Sequence, residues 1–199
     1  MSFRFATQKL TTGLYEPEGI YLQTPFAGNA MIGQAWGEHA ESYGEFHYNG
    51  IPLKGHNGID FVIPAQDRIL ATDRGRVVEI GIERGGYERY LKLEHRWGES
   101  FYAFLGEILV ESGQHVDRGT VLATAGGIHD EMHFFHFAIR IEPFNRLDGF
   151  GGFSDPLPYM NPTDILFAED SPESSQSVTS QSVTPLHKML IEKVQARRP

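Results

Sequence analysis

Two short stretches of the chain carry side chains that could do chemistry together. The first, Gly55-His56-Asn57-Gly58-Ile59-Asp60-Phe61, sets a histidine and an aspartate four residues apart with a small residue between them. That spacing lets His56 and Asp60 reach one metal ion from a loop entering a strand. It also suits a plain structural hydrogen bond. Gly55 and Gly58 are expected to let the backbone turn tightly there. The second stretch, His133-Phe134-Phe135-His136-Phe137-Ala138-Ile139-Arg140, reads as a core strand whose side chains alternate between faces. His136 then shares a face with Phe134 and Ala138, and His133 lies on the opposite one. The chain has no cysteine, so any zinc must be held by histidine and carboxylate.

The elements that must position these groups are strands. Short apolar runs broken by Gly, Asp and Asn fill residues 31 to 167. Ile69-Leu70-Ala71 and Arg76-Val77-Val78-Glu79-Ile80 read as strands around a turn at Asp73-Arg74-Gly75. Tyr90-Leu91-Lys92-Leu93-Glu94 alternates with period two. Phe101 to Leu105, Ile108 to Val110, Thr120 to Thr124 and Phe135 to Ile141 complete the set. No amphipathic helix longer than about ten residues interrupts them. The frequent turns predict an all-β or β-rich domain, an antiparallel sheet or sandwich, over residues 1–167, with the first 30 residues as an irregular or edge-strand lead-in.

After Phe167 the composition shifts to Ser, Thr, Gln and acid. Residues 168–184 read as a flexible linker that cannot bury enough surface to fold alone. The following PLHKMLIEKVQARRP has Pro185 at a first helical position and Leu186, Met189, Leu190 and Val194 on one face. A short basic amphipathic helix over 185–199 is expected, with 185–197 either docking a protein partner or folding back on its own acidic domain.

A net charge of −9 and the lack of a basic stripe argue against nucleic acid as a partner. No run approaches the ~20 apolar residues of a membrane span. The first residues hold no apolar core of the signal-peptide kind. The expected location is cytoplasmic by default, or outside it by a non-Sec route or a phage-like particle.

Together the two stretches resemble the LytM/lysostaphin family of zinc metallopeptidases, whose fold is built on a duplicated hybrid motif. Phe26-Ala27-Gly28 through Gly33-Gln34-Ala35-Trp36-Gly37 looks like its lead-in strand, and GHNGIDF like its first metal motif. Phe101-Tyr102-Ala103-Phe104-Leu105 looks like the segment carrying one catalytic histidine. Ser112-Gly113-Gln114-His115-Val116 and Gly119-Thr120-Val121-Leu122 look like its paired turns, and residues 134–140 like its closing HxHFxIR strand. The resemblance implies Zn²⁺ held by His56, Asp60 and His136. Two imidazoles and a carboxylate suit a tetrahedral ion with a water in fourth place, whose pKa zinc lowers to roughly 7.

The resemblance also implies two further histidines beside the metal, and the matching positions are Phe104 and Phe134. Phenylalanine can neither take a proton nor donate a hydrogen bond. Losing a general base costs ~10² to 10⁴ in rate, and losing an oxyanion donor ~10² to 10³. His133, aimed at the metal by a small register shift, is the possible substitute; His95, His115 and His129 are the other nearby imidazoles. His39, His47 and His187 have no motif around them and read as surface or turn residues. The leading expectation is a zinc-binding domain directed at peptidoglycan or another peptide, catalytically impaired and serving as a binding, regulatory or structural module. The alternative is an active endopeptidase cleaving peptidoglycan cross-links. A biotinyl/lipoyl-type carrier would share the Gly-Val pairs, but Lys54 and Lys92 lack the hairpin-tip setting of a modifiable lysine.

Overall fold

The computed structural model describes residues 19–48, 50–129 and 132–166. The expected linker 168–184 and helix 185–199, and the lead-in before residue 19, lie outside the described residues. Among the described residues fourteen strands run in chain order: β1 Ala30–Gln34, β2 His47–Tyr48, β3 Ile51–Pro52, β4 Ile59–Val62, β5 Arg68–Leu70, β6 Gly75–Glu83 and β7 Glu88–His95. They continue as β8 Gly98–Ala103, β9 Leu105–Ile108, β10 His115–Val116, β11 Val121–Ala125, β12 Gly127–His129, β13 Met132–Ile141 and β14 Ile165–Leu166. One four-residue helix, α1 (Ala40–Tyr43), is the longest α-helix among the described residues. None is long and apolar enough to cross a membrane.

The large sheet runs β10-β6-β7-β8-β13-β4-β1-β14, with β12 added beside β13. Its pairings are antiparallel except β1 with β14. A second sheet, β5-β11-β9, covers one face of it. The alternation of β4 and β13 makes this possible. Ile59, Phe61, Phe135, Phe137 and Ile139 point to the covered side and are fully buried with Leu91, Leu93, Ile69 and Leu122. Phe61 stacks on Phe135 at 5.6 Å, and Phe26 meets Phe61 edge-on at 5.0 Å. Such pairs add about 0.5–1.5 kcal/mol each beyond area burial. The intervening residues, Asp60 and His136, therefore face the other side.

The expected antiparallel, sandwich-like class is what the molecule adopts. Two local expectations differ. Residues 69–71 and 76–80 do not pair as a hairpin: β5 joins β11 while β6 joins β7. Residues 101–105 are not one strand either. The ladder breaks at Phe104, which takes a left-handed backbone with φ 55°, and β9 then leaves for the second sheet.

On the uncovered face Arg140 is the anchor. Its side chain is buried, Nε donates to the Gly151 carbonyl at 2.9 Å, and Nη1 pairs with Glu99 at 3.0 Å. Nη2 donates to the Tyr48 hydroxyl, and the guanidinium lies 3.9 Å from the Phe153 ring centre. This ties the returning segment 144–154 and the β2–β3 hairpin over the site face.

Candidate metal centre

Asp60 and His136 are direct cross-strand partners on β4 and β13. Neighbours opposite each other on one face of a pleated pair have Cβ atoms about 4.5–5.5 Å apart, close enough for both to share an ion. His56 arrives from the loop before β4. Its backbone is pinned by its amide donating to Glu38 (3.0 Å) and its carbonyl accepting from Gly37 (2.7 Å). Its Nδ1 lies 3.1 Å from the Ala35 carbonyl, so Nδ1 carries the proton and Nε2 keeps its lone pair.

Three donor atoms converge. His56 Nε2 is 3.1 Å from His136 Nδ1, His136 Nδ1 is 2.9 Å from Asp60 Oδ1, and His56 Nε2 is 3.3 Å from Asp60 Oδ1. A tetrahedral ion with bonds of about 2.0–2.1 Å spaces its donors roughly 3.3 Å apart, so the triangle fits one. All three residues are buried. Burial alone would push the Asp60 carboxyl up, but the adjoining His56 and His136 imidazoles hold it well below the usual carboxylate range. Burial pushes the His136 imidazole down, against the pull of Asp60. An ionised carboxylate beside a neutral imidazole is the state that ligates metal.

The two glycines act by their lack of a side chain rather than by a turn. Neither lies in the left-handed region. A Cβ on Gly58 would stand 2.5 Å from His136 Cε1 and 2.6 Å from the Phe137 carbonyl oxygen; one on Gly55 would stand 2.6 Å from the Gly37 carbonyl oxygen. Only hydrogen fits between the motif loop and the imidazole it serves.

The triad opens into a cleft of about 340 Å³ walled by Tyr43, Phe46, Tyr48, Tyr87 and Phe104, with Gly85 and Gly86 at the β6–β7 tip. Phe104 and Phe134 form a ring pair, centres 4.9 Å apart. The Phe104 amide donates to the Tyr87 carbonyl and its carbonyl accepts from Gly126, so the backbone at 104 is fully committed to its unusual conformation. Left-handed φ is rare for a bulky residue, whereas histidine is enriched there.

Among the described residues, His133, His95, His115 and His47 are not part of the donor triangle. β13 is paired without a register break from Met132 onward, so His133 lies on the face opposite His136; the shift that would aim it at the metal does not occur. His95 is satisfied at the far end of β7, with Nδ1 on the Arg74 carbonyl and Nε2 on the Ser100 hydroxyl. His115 is exposed on β10. His47 is exposed at the cleft rim. His187 lies outside the described residues.

Sequence reasoning missed Asn57, Tyr43 and Tyr87. Asn57 Nδ2 donates to the Tyr87 hydroxyl at 2.7 Å. Gln34, opposite Asp60 across β1 and β4, donates to the Tyr43 hydroxyl at 3.1 Å. Burial raises both phenols well above their ordinary value, so both stay protonated. The density of aromatics in Tyr43-Gly44-Glu45-Phe46-His47-Tyr48 was the available signal.

A two-histidine, one-aspartate centre on the open face of an antiparallel sheet defines a metallopeptidase-type β domain. Residues 54–147 match the model of peptidase family M23. An uncharacterized metalloprotease of Haemophilus influenzae is 28% identical over 140 residues, 69% of this chain and 29% of that protein. The chain spans less than half the length of the curated relatives it matches, 29% to 42%. In fold it is similar to the antimicrobial peptidase lysostaphin from Staphylococcus simulans, with TM-score 0.54 and 20% identity over 70% of this chain and 53% of that one. A zinc-containing peptidase from Vibrio cholerae superposes with TM-score 0.52 and 24% identity, over 72% and 41%.

Proposed function

We propose that the domain holds one Zn²⁺ with His56, Asp60 and His136 and is directed at peptidoglycan or another peptide, with hydrolysis impaired, as a binding, regulatory or structural module. The observation that carries this is the Phe104–Phe134 ring pair beside an intact donor triangle. The donor set is the kind zinc takes in open sites, and a zinc-containing peptidase shares the fold. When bound, the ion supplies Lewis acidity toward a carbonyl.

The chain's own residues do the rest. Ala35 fixes the His56 tautomer, β4 and β13 fix Asp60 and His136, and aromatic rings wall the cleft. What they do not supply at 104 and 134 is a proton acceptor or a hydrogen-bond donor. A base there is worth ~10² to 10⁴ in rate. An apolar-walled cleft with an open metal position is a place to hold a peptide rather than cut it.

The test is metal stoichiometry together with turnover of cell-wall peptide, with His56→Ala as control. One zinc per chain, lost in His56→Ala, and turnover no greater than that variant's support the reading. Brisk, metal-dependent hydrolysis overturns the impaired part; absence of stoichiometric zinc overturns it all.

A further inference from the structure

The cleft holds polar groups whose placement the metal triad does not account for, Tyr87 among them. Tyr87 sits at the β6–β7 tip, its ring centre 5.4 Å from that of His136 and 4.7 Å from that of Phe101. Asn57 lies between the two metal-motif residues and donates to the Tyr87 hydroxyl oxygen at 2.7 Å. A hydroxyl that accepts from an amide keeps its own proton to give away. The Tyr87 carbonyl also accepts from the Phe104 amide, so main chain and side chain are both tied. Tyr87 and Phe104 thus line the cleft together, with the Tyr87 hydroxyl held by Asn57.

Charge says what such a donor would meet. A divalent ion on two neutral imidazoles and one carboxylate leaves a net positive charge in buried surroundings. Uncompensated buried charge is costly, and an anionic ligand cancels it. The rim carries Glu83, Arg84 and His47, all exposed.

We propose that Tyr87, positioned by Asn57, is the specificity-determining donor of this cleft and selects a ligand bearing a free carboxylate, to which its hydroxyl would donate beside the residues that would hold the metal. This rests on the metal-binding reading above and names the ligand class for it. A peptide presented by its carboxylate end is held; its amide counterpart, equal in shape but uncharged, is not.

The experiment uses the full chain loaded with Co²⁺, whose visible absorption reports the coordination sphere without any turnover. The probes are an N-acetylated dipeptide with a free carboxyl terminus and the same dipeptide as its terminal amide. The acid should shift the cobalt spectrum saturably, and the amide should bind at least about tenfold more weakly. Tyr87→Phe keeps the ring and should weaken the acid roughly tenfold or more, as for loss of a hydrogen bond to a charged group, with cobalt stoichiometry unchanged. Asn57→Ala should give a smaller loss of the same kind. Equal response to acid and amide, or full affinity in Tyr87→Phe, overturns the inference while leaving the metal reading intact. Failure to take up cobalt at all overturns both.

Discussion

Restoring imidazoles at the two phenylalanine positions is the most searching perturbation. Phe104 is half-buried and strained at φ 55°. A left-handed backbone costs an L-residue roughly 1–2 kcal/mol, and histidine is among the residues that tolerate it better. Phe104→His therefore regains part of that cost and loses the ring contact with Phe134, worth about 0.5–1.5 kcal/mol; the single variant should be near neutral in stability. Phe134 is 6% exposed, beside β4 and β12. Putting an imidazole there costs about 1–3 kcal/mol for the buried polar group. The ring contact is shared, so the double variant loses it once and the two costs are not additive. A total near 1–3 kcal/mol leaves a folded protein if the domain starts in the usual 5–15 kcal/mol range. In rate, a base contributes ~10² to 10⁴, and groups that act as a unit give little singly. The double variant should thus release fragments from dye-labelled peptidoglycan at least about a hundredfold faster than the parent, and neither single variant should. Circular dichroism and zinc content confirm folding and loading, and His56→Ala in the same background should abolish the gain. The reasoning is refuted if the parent already cleaves as fast as the double variant, or if a folded, zinc-loaded double variant gains nothing.

Other outcomes follow from the same geometry. Zinc at a thousand times its Kd should raise stability by about 4 kcal/mol, a melting shift of about 8–16 °C for a chain of this size, and His136→Ala should remove the shift in differential scanning calorimetry. Gly58→Ala, whose Cβ would meet His136 Cε1 at 2.5 Å, should cut metal affinity by isothermal titration far more than it cuts urea resistance. Arg140→Met leaves the part-exposed Glu99 without its partner and frees segment 144–154; a loss of roughly 1.5–3 kcal/mol is expected for charged hydrogen bonds lost, read by urea unfolding. Asp73 is pushed up by burial but held below its ordinary value overall, by Arg118 above all and by Trp97. Its stabilisation is therefore present above the unfolded carboxyl pKa of about 3.9 and lost as pH falls through the lower folded value. Asp73→Asn should flatten that acid limb of the stability curve.

What was legible and what was not divides along one physical line. Period-two alternation placed His136 on one side of its strand with Phe134 and Ala138, and β13 obeys it, with Phe61 and Phe135 stacked behind. The sequence could not say which strand lies next to which. The register Asp60↔His136 is a long-range pairing that no local pattern encodes. For the same reason β5 and β6 were read as one hairpin, though each finds its partner elsewhere. The glycines show a second limit. Gly55 and Gly58 were read as turn formers because a sequence displays a residue's own freedom, whereas their use depends on neighbours 18 residues back and 78 residues ahead, Gly37 and His136.

The cleft was the least legible part, and it decides the chemistry. Tyr43 and Tyr87 come from α1 and from the tip between β6 and β7, and only the folded sheet brings them beside the triad. Phe104 shows how sequence and structure together say more than either. From sequence it is a phenylalanine where a histidine would be expected. In the structure it keeps a backbone that suits histidine better, with both its amide and its carbonyl bonded. A chain released from all constraint at this point could relax out of a left-handed φ at a bulky residue. Instead the Tyr87 carbonyl and the Gly126 amide hold it there, and the ring turns onto Phe134. The scaffold that would aim an imidazole at the metal is intact, and it presents an apolar surface in its place.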